Sequence, residues 1–346
     1  MAVAATGFFD GVHLGHRAVI ETLLKTAHER GEQSLVLTFW PHPRVVLGKD
    51  PRDLRLLTSL DEKLSKLRGL GVDRVEVIPF TREFAALTAR EYIEMLRRDY
   101  DVTSIILGYD NRFGSDGLST EQIAALAEGL CTEVEIVPAC VVGSKASSDA
   151  RPPRVFGEDK YGKGERPLGV SGVSPVEIRP RVAQFSWGEP SLPSASSDAR
   201  PAQVYISSTV IRKSLAAGKV REANAMLGYE YSLGGVVVGG NRMGRTIGFP
   251  TANMKLREPL KCLPAVGAYL SRVEVDGRTM WGMTNIDRNE KIETNIFDYS
   301  EDIYGYDITV SFVARLRDEI RFGSFEQLKN QLEKDRTAAK SIILEA

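Results

Sequence analysis

From Ala2 to Val137, short apolar runs alternate with stretches whose apolar residues recur every three to four positions. This alternation limits the fold more than any other feature of the chain. Ala2–Thr6 reads as a strand of small residues that runs straight into Gly7. Arg17–Arg30 reads as a helix, with Ala18, Ile20, Leu23, Leu24 and Ala27 on its apolar face and Gly31 as its stop. Ser34–Phe39, Arg74–Ile78, Ser104–Leu107 and Glu133–Val137 read as further strands, and Leu60–Leu70, Ala89–Arg98 and Thr120–Glu128 as helices between them. Strands separated by single helices are joined by crossovers. The expectation is an α/β architecture, a parallel sheet with helices on both faces, whose ligands bind beyond the carboxyl ends of the strands.

The segment 141–204 breaks the pattern. It holds eight of the chain's 16 prolines, and ASSDARP occurs in it twice, at Ala146–Pro152 and Ala195–Pro201. That composition reads as an inserted or duplicated loop. Val210–Leu227 then reads as one helix opened by Ser207, Ser208 and Thr209. From Leu233 to about Phe322 the pattern changes to short strands with turn residues between them, including a hairpin signal at Asp276-Gly277. This is the pattern of a small antiparallel barrel, closed by an amphipathic helix over Phe325–Lys340.

A length of 346 residues fits two domains, and 42% hydrophobic with 26% charged residues is ordinary for a globular chain. The net charge of -1 argues against a general nucleic-acid-binding surface, which needs a basic excess. Cys131, Cys140 and Cys262 are too few and too widely spaced for a disulfide framework or a zinc cluster, and are expected to be free and buried. No run of 18 apolar residues is present, and Met1–Phe9 lacks a basic leader. The expectations are a cytoplasmic protein without a membrane span, a monomer or weak homo-oligomer.

Four stretches carry chemistry. GFFDGVHLGH, Gly7–His16, follows the first strand and opens the first helix. Its glycines, Gly7, Gly11 and Gly15, leave the backbone bare enough for a phosphate chain, and a helix N-terminus offers free N–H groups. His13 and His16 stand three apart at that end. They can face one anion, cap the turn, or bind a metal, although the chain has only four histidines. ISSTVIR, Ile206–Arg212, read alone is an N-cap followed by a cation that can clamp phosphates. GGNRMGRTIGFPTAN, Gly239–Asn253, is glycine-rich, with Arg245 for charge and Thr251 and Asn253 as hard oxygen ligands suited to a magnesium–phosphate complex. It departs from the GxxxxGK[ST] pattern, so no P-loop fold is implied. Strand alternation puts Glu293, Asn295 and Phe297 on one face.

Together these stretches, with TFWPHP at Thr38–Pro43 and GYDNRFG at Gly108–Gly114, resemble the bacterial bifunctional riboflavin kinase/FMN adenylyltransferases, also called FAD synthetases. The resemblance covers the chain except its proline-rich loop. It implies a Rossmann-like nucleotidyltransferase domain over 1–226, followed over 227–346 by a small antiparallel β-barrel flavokinase domain with a C-terminal helix. It implies ATP, riboflavin and FMN as substrates and Mg2+ as cofactor. His13, His16 and Arg212 would be catalytic in adenylyl transfer, with Gly7, Asp10, Gly11, Gly15, Asp110, Ser207, Ser208 and Thr209 around the nucleotide, flavin phosphate and pyrophosphate. In the barrel, Gly239, Gly244, Arg245, Gly248, Pro250 and Asn253 would hold nucleotide, Thr251 and Asn253 magnesium, and Glu293 would be the kinase base. The stretch NIDRNEKIE, Asn285–Glu293, is several residues shorter than its family counterpart. Two other readings follow: an enzyme with the adenylyltransferase half alone, or a flavin- or nucleotide-binding protein without turnover.

Overall fold

The computed structural model describes residues 1–48, 54–111, 113–142, 204–240, 244 and 248–345. The repeated ASSDARP segment and Arg245 lie outside these residues.

The N-terminal half is a five-stranded parallel sheet in the order β3-β2-β1-β4-β5. Its strands are β1 (Ala2–Thr6), β2 (Gln33–Trp40), β3 (Arg74–Pro79), β4 (Val102–Gly108) and β5 (Glu133–Val137). The helices between them are α1 (Leu14–Arg30), α2 (Pro43–Val46), α3 (Leu60–Gly69), α4 (Arg82–Ala85), α5 (Ala89–Tyr100) and α6 (Thr120–Glu128). The short α2 and α4 carry no periodicity that a sequence reading detects. Alternate residues of β1 enter different cores. Ala2 and Ala4 pack with Tyr92, Ile93 and Leu96 of α5 and Ile123 of α6, whereas Val3 and Ala5 pack with Ile20 and Leu23 of α1 and Leu67 of α3. A strand buried on both faces must be apolar throughout, which is why β1 shows no alternation.

The two-stranded ribbon β6 (Val141–Val142) and β7 (Val204–Tyr205) leads into two helices, α7 (Ser208–Ala216) and α8 (Val220–Leu227), where the sequence suggests one. The break is at Gly218, whose φ of 74° is left-handed and whose missing Cβ makes room for the Arg315 guanidinium.

The C-terminal half is a closed six-stranded antiparallel barrel, β10-β11-β12-β9-β8-β13. Its strands are β8 (Ser232–Val238), β9 (Ala252–Leu256), β10 (Gly267–Val275), β11 (Arg278–Ile286), β12 (Ile292–Ile296) and β13 (Asp307–Arg317). Asp276 and Gly277 both take positive φ, 52° and 68°, as a two-residue hairpin turn requires. The sequence reading missed β9, because its first residues belong to the glycine-rich stretch. The closing helix runs from Phe325 to Glu345 and packs through Ala339 and Leu332 on Leu270, Met283 and Ala314. Asp335, buried, anchors it by accepting from Arg317 Nε at 2.8 Å and from Gln331 Nε2 at 2.8 Å.

One apolar core runs from Leu57 through Ile211 and Leu215 of α7 and Ala223 and Leu227 of α8 to Tyr231, Tyr269 and Phe312 of the barrel. Leu56 also bonds to the barrel side, with its N–H donating to Leu260 O at 2.7 Å and its carbonyl accepting from Cys262 N at 2.8 Å. The cysteines correct one expectation. All three are free, but Cys262 alone is buried, Cys140 is half-buried, and Cys131 is exposed in the turn after α6.

Tyr231 is fully buried in that shared core, and its hydroxyl donates to Cys262 O at 2.6 Å. Tyr231→Phe should therefore cost about 1–3 kcal/mol, the usual penalty for removing one partner of a buried hydrogen bond. Calorimetric melting reads this as a lower midpoint, and an unchanged midpoint counts against a bond that matters.

Candidate active sites

In the order β3-β2-β1-β4-β5 the chain direction of growth reverses between β1 and β4, and crevices of open α/β sheets form at such switch points. Gly7–His16 leaves the carboxyl end of β1 there, and Gly108–Asp110 leaves β4 beside it. Asn111 bonds across the gap, its Nδ2 donating to Thr6 O. Asp110 and Tyr109 are exposed at this rim.

The loop after β1 is contorted. Phe9 and Val12 have φ of 51° and 38°, and Gly11 has 84°. Such a backbone is strained for Phe and for a β-branched Val, and persists only when its surroundings hold it. Asp10 provides the hold. It is buried, and its carboxylate accepts from Leu57 N and Thr58 N at 3.0 Å, from Thr58 Oγ1 at 3.2 Å and from Arg212 Nη2 at 2.7 Å. Gly11 N donates to Thr58 Oγ1 at 3.0 Å, and Tyr229 Oη donates to Gly11 O at 2.6 Å. A Cβ on Gly11 would strike Leu57 Cδ1 at 2.8 Å.

The same contacts bring the second stretch to the first across some 200 residues of sequence. Ser208 Oγ donates to Asp10 O at 2.9 Å, and Arg212, besides its ion pair with Asp10, donates through Nε to Arg55 O at 2.6 Å. Ser207 caps α7 by accepting from Val210 N at 3.3 Å, and Thr209 is exposed on the first turn. Arg212, expected as a phosphate clamp, thus has its guanidinium on Asp10 and Arg55.

The histidines sit one over the other, ring centres 3.6 Å apart and planes 15° from parallel. The helix begins at Leu14, earlier than the periodicity indicates, so that His13 is its N-cap and accepts from His16 N through Nδ1 at 3.3 Å. That bond leaves the His13 proton on Nε2, free to donate. Gly15 is required by this stacking, because a Cβ there would lie 3.2 Å from the His13 ring. Burial lowers the His13 pKa to about 4, and burial followed by the nearby His13 pushes His16 well below its ordinary value. His42 is likewise lowered to about 4, chiefly by burial. Among the described residues the buried His16 Nδ1 has no hydrogen-bond partner.

Lys63, which the sequence reading did not single out, is buried beneath this loop. Its Nζ donates to Phe8 O at 3.0 Å and Thr38 Oγ1 at 2.9 Å. The signal was there: Lys63, Leu67 and Leu70 fall on one face of α3 at helical spacing.

The third and fourth stretches form a separate grouping on the barrel. Asn253 on β9 pairs in register with both Val238 and Glu293, and Glu293 also pairs with Asn285. Asn253 is buried, and among the described residues its Oδ1 has no hydrogen-bond partner. Gly240 is held against it, since a Cβ there would lie 2.1 Å from Asn253 Nδ2. Gly244 similarly abuts Phe249 O, Gly248 has a φ of 83°, and Asn295 Nδ2 donates to Pro250 O at 2.7 Å. Gly239 ends β8. Thr251 opens into a cavity of about 320 Å³ shared with Val237, Thr294, Tyr299 and Asp302. A second cavity, of about 510 Å³, adjoins Gly248 and Phe249 and is lined by Lys329, Arg336 and Lys340 of the closing helix. The shortened stretch before Glu293 is a tight turn: Asp287 N donates to Lys291 O at 3.1 Å and Asp287 Oδ1 accepts from Asn289 N at 2.8 Å. It places Lys291 Nζ on the Glu293 carboxylate. Among the described residues no group of three or more His, Cys, Asp or Glu is placed to hold a metal.

Two family models match the chain. A family described as FAD synthetase matches residues 1–151, and one described as riboflavin kinase matches residues 227–343. The bifunctional riboflavin kinase/FMN adenylyltransferase of Listeria monocytogenes is 33% identical over 341 residues, spanning 96% of this chain and 90% of its own length. This chain belongs to the bifunctional riboflavin kinase/FMN adenylyltransferase family. The Bacillus subtilis member is 31% identical over 98% of the chain and 91% of its own length. A solved Streptococcus pneumoniae structure, described as a macrolide-efflux protein, is 28% identical, covers 98% of this chain and 93% of its own, and superposes with a TM-score of 0.74. Among the described residues no helix of this family member is long and apolar enough to cross a membrane.

The buried neutral histidines set a pH dependence. The His13 ring titrates near 6.5 when unfolded and near 4 when folded. Between those values the unfolded chain holds a proton that the folded protein lacks. The contribution to stability is therefore full above about pH 6.5 and declines as the pH falls towards 4. His13→Asn keeps a capping side chain. Its melting midpoint should fall less steeply between pH 7 and 4.5 than that of the parent, and parallel curves would remove His13 from the account.

Proposed function

We propose that the protein makes FAD from riboflavin in two steps on one chain. The barrel phosphorylates the riboflavin 5′-hydroxyl with ATP to give FMN. The crevice between β1 and β4 transfers AMP from ATP to FMN, giving FAD and pyrophosphate. The observation that carries this reading is the meeting of Gly7–His16 and Ile206–Arg212 on the Asp10 carboxylate at the switch point. The natural division is residues 1–226 for adenylyl transfer and 227–346 for the kinase. Two free cysteines that are not buried, Cys131 and Cys140, suit a reducing cytoplasm.

Adenylyl transfer needs no general base, because the FMN phosphate, with a second pKa near 6, is already an anion at pH 7. What it needs is orientation and donors where charge develops on the α-phosphate. His13 Nε2–H supplies such a donor from a ring that stays neutral. The α1 N-terminus adds unpaired amides, and Ser208, Thr209 and Arg212 stand where the pyrophosphate departs, with Asp110 at the flavin-phosphate side. Arg212 reaches a phosphate by sharing or leaving its Asp10 contact.

The kinase step attacks with a primary hydroxyl, so a carboxylate must take its proton. Glu293 has that role, with Lys291 beside it to move aside or to face the transferred phosphoryl group. The Asn253 Oδ1, without a partner among the described residues, and the Thr251 hydroxyl would hold a hard cation such as Mg2+. Held there, that ion would neutralise charge on the phosphates. The cavities at Thr251 and at Phe249 adjoin the Gly248–Asn253 segment and take one substrate each.

Two substitutions separate the steps. Glu293→Gln should lower riboflavin phosphorylation by about 10²–10⁴ and leave FAD formation from added FMN intact. His13→Ala should do the reverse, lowering FAD formation by about 10²–10³ while FMN formation persists. Chromatographic assay of each product checks both, and a variant that loses both steps together, or neither, contradicts the assignment.

A further inference from the structure

Adenylyl transfer as proposed would bring two anions together in the crevice. At the crevice, His13 and His16 are neutral rings, and Arg212 lies 2.7 Å from the Asp10 carboxylate, so that pair is closed on itself. Lys63 is different. It is 1% exposed, and its Nζ donates to three uncharged oxygens, Phe8 O at 3.0 Å, Thr38 Oγ1 at 2.9 Å and Phe39 O at 3.4 Å. The ammonium also lies 4.1 Å from the centre of the Phe8 ring. Among the described residues no carboxylate lies within ion-pair distance of it. Folds bury an ammonium without a counter-ion only at a cost. Phe8 belongs to the strained loop, and Thr38 and Phe39 end β2, so this ammonium stands directly behind the carboxyl edge of the sheet.

We propose that Lys63 is a positioning residue for adenylyl transfer, a buried ammonium whose counter-ion arrives with the substrate as the phosphates bound over the His13–His16 pair. This rests on the adenylyl-transfer site assigned above. Its protons are engaged by protein oxygens, so Lys63 acts through space and by fixing the Phe8 carbonyl, without touching a phosphate. The charged and titratable groups facing it are Asp10 from the loop, His16 from α1 and His42 beyond β2, while Glu62 and Lys66 lie on its own helix. Asp10 favours its charge, but burial outweighs Asp10 and lowers its pKa to about 8. An arriving polyphosphate restores the missing negative charge and raises that value, so binding draws a proton from solution on the alkaline side.

The test uses the full chain. ATP is titrated into the protein at pH 8.5, in buffers of different ionisation enthalpy, without flavin so that no turnover occurs. The parent should take up a sizeable fraction of a proton on binding, and Lys63→Met should lose that uptake. Equal uptake by parent and variant would assign it to another group such as Lys66, also lowered to about 8, and would overturn the proposal. Lys63→Met and Lys63→Gln should both lower kcat/KM for FAD formation by about 10²-fold, with riboflavin phosphorylation kept as the measure of a folded chain. Gln retains hydrogen-bond donors without the charge, so recovery of FAD formation in Lys63→Gln overturns the proposal in favour of a structural tether. Absence of proton uptake by the parent overturns it without reference to any variant. A parent that makes no FAD from FMN sinks the assignment of the site instead.

Discussion

Asp10 is a carboxylate buried at 3% exposure, in the contorted turn that joins β1 to α1. An uncompensated charge there would be prohibitive. Leu57 N, Thr58 N, Thr58 Oγ1 and Arg212 Nη2 compensate it, and these donors come from parts of the chain far from Asp10 in sequence. The carboxylate thereby holds Phe9, Gly11 and Val12 in left-handed backbone conformations that cost on the order of 1–3 kcal/mol at each non-glycine residue. It also fixes residues 54–58, whose Leu56 is hydrogen-bonded to Leu260 and Cys262 ahead of the barrel. The Asp10 carboxylate thus ties the loop to helix α7 and to the segment that meets the barrel, alongside the apolar core they share. Arg55 adds an exposed ion pair to Glu290, in the turn that precedes Glu293, at 3.0 Å.

The electrostatics of the crevice follow from its burial. Stacking His13 on His16 within the first turn of α1 removes water from both rings, and neither carries charge near neutral pH. In the proposed reaction they would serve as oriented donors. The barrel is arranged differently, with a half-buried carboxylate beside a lysine and an orphan amide oxygen across the strand pair. Proton abstraction needs a carboxylate, and transfer to a preformed phosphate anion does not.

Much of this was legible in the sequence. The alternation from Ala2 to Val137 gave every strand of the parallel sheet to within two residues at each end, because buried parallel strands are uniformly apolar and their helices are amphipathic. The four chemical stretches were visible because glycines, paired histidines and isolated cations are conspicuous at a strand-to-helix turn. Other features were hidden for physical reasons. Strand β9 looked like loop because its residues serve both the ladder and the glycine-rich turn. The division of α7 from α8 depended on Arg315 filling the space that Gly218 leaves. The ion pair between Asp10 and Arg212 is a long-range contact that no local pattern encodes. Lys63 was overlooked because lysine is by default a surface residue, although its spacing to Leu67 placed it on the buried face.

The account rests on two sites working in sequence on one chain. Its most direct test is a time course of the purified full-length protein with riboflavin, ATP and Mg2+, resolving riboflavin, FMN and FAD by chromatography. FMN should rise first and FAD should follow at its expense, with pyrophosphate released in step with FAD. Conversion that halts at FMN, FAD formed only when FMN is supplied, or binding of flavin with no product at all would each contradict it.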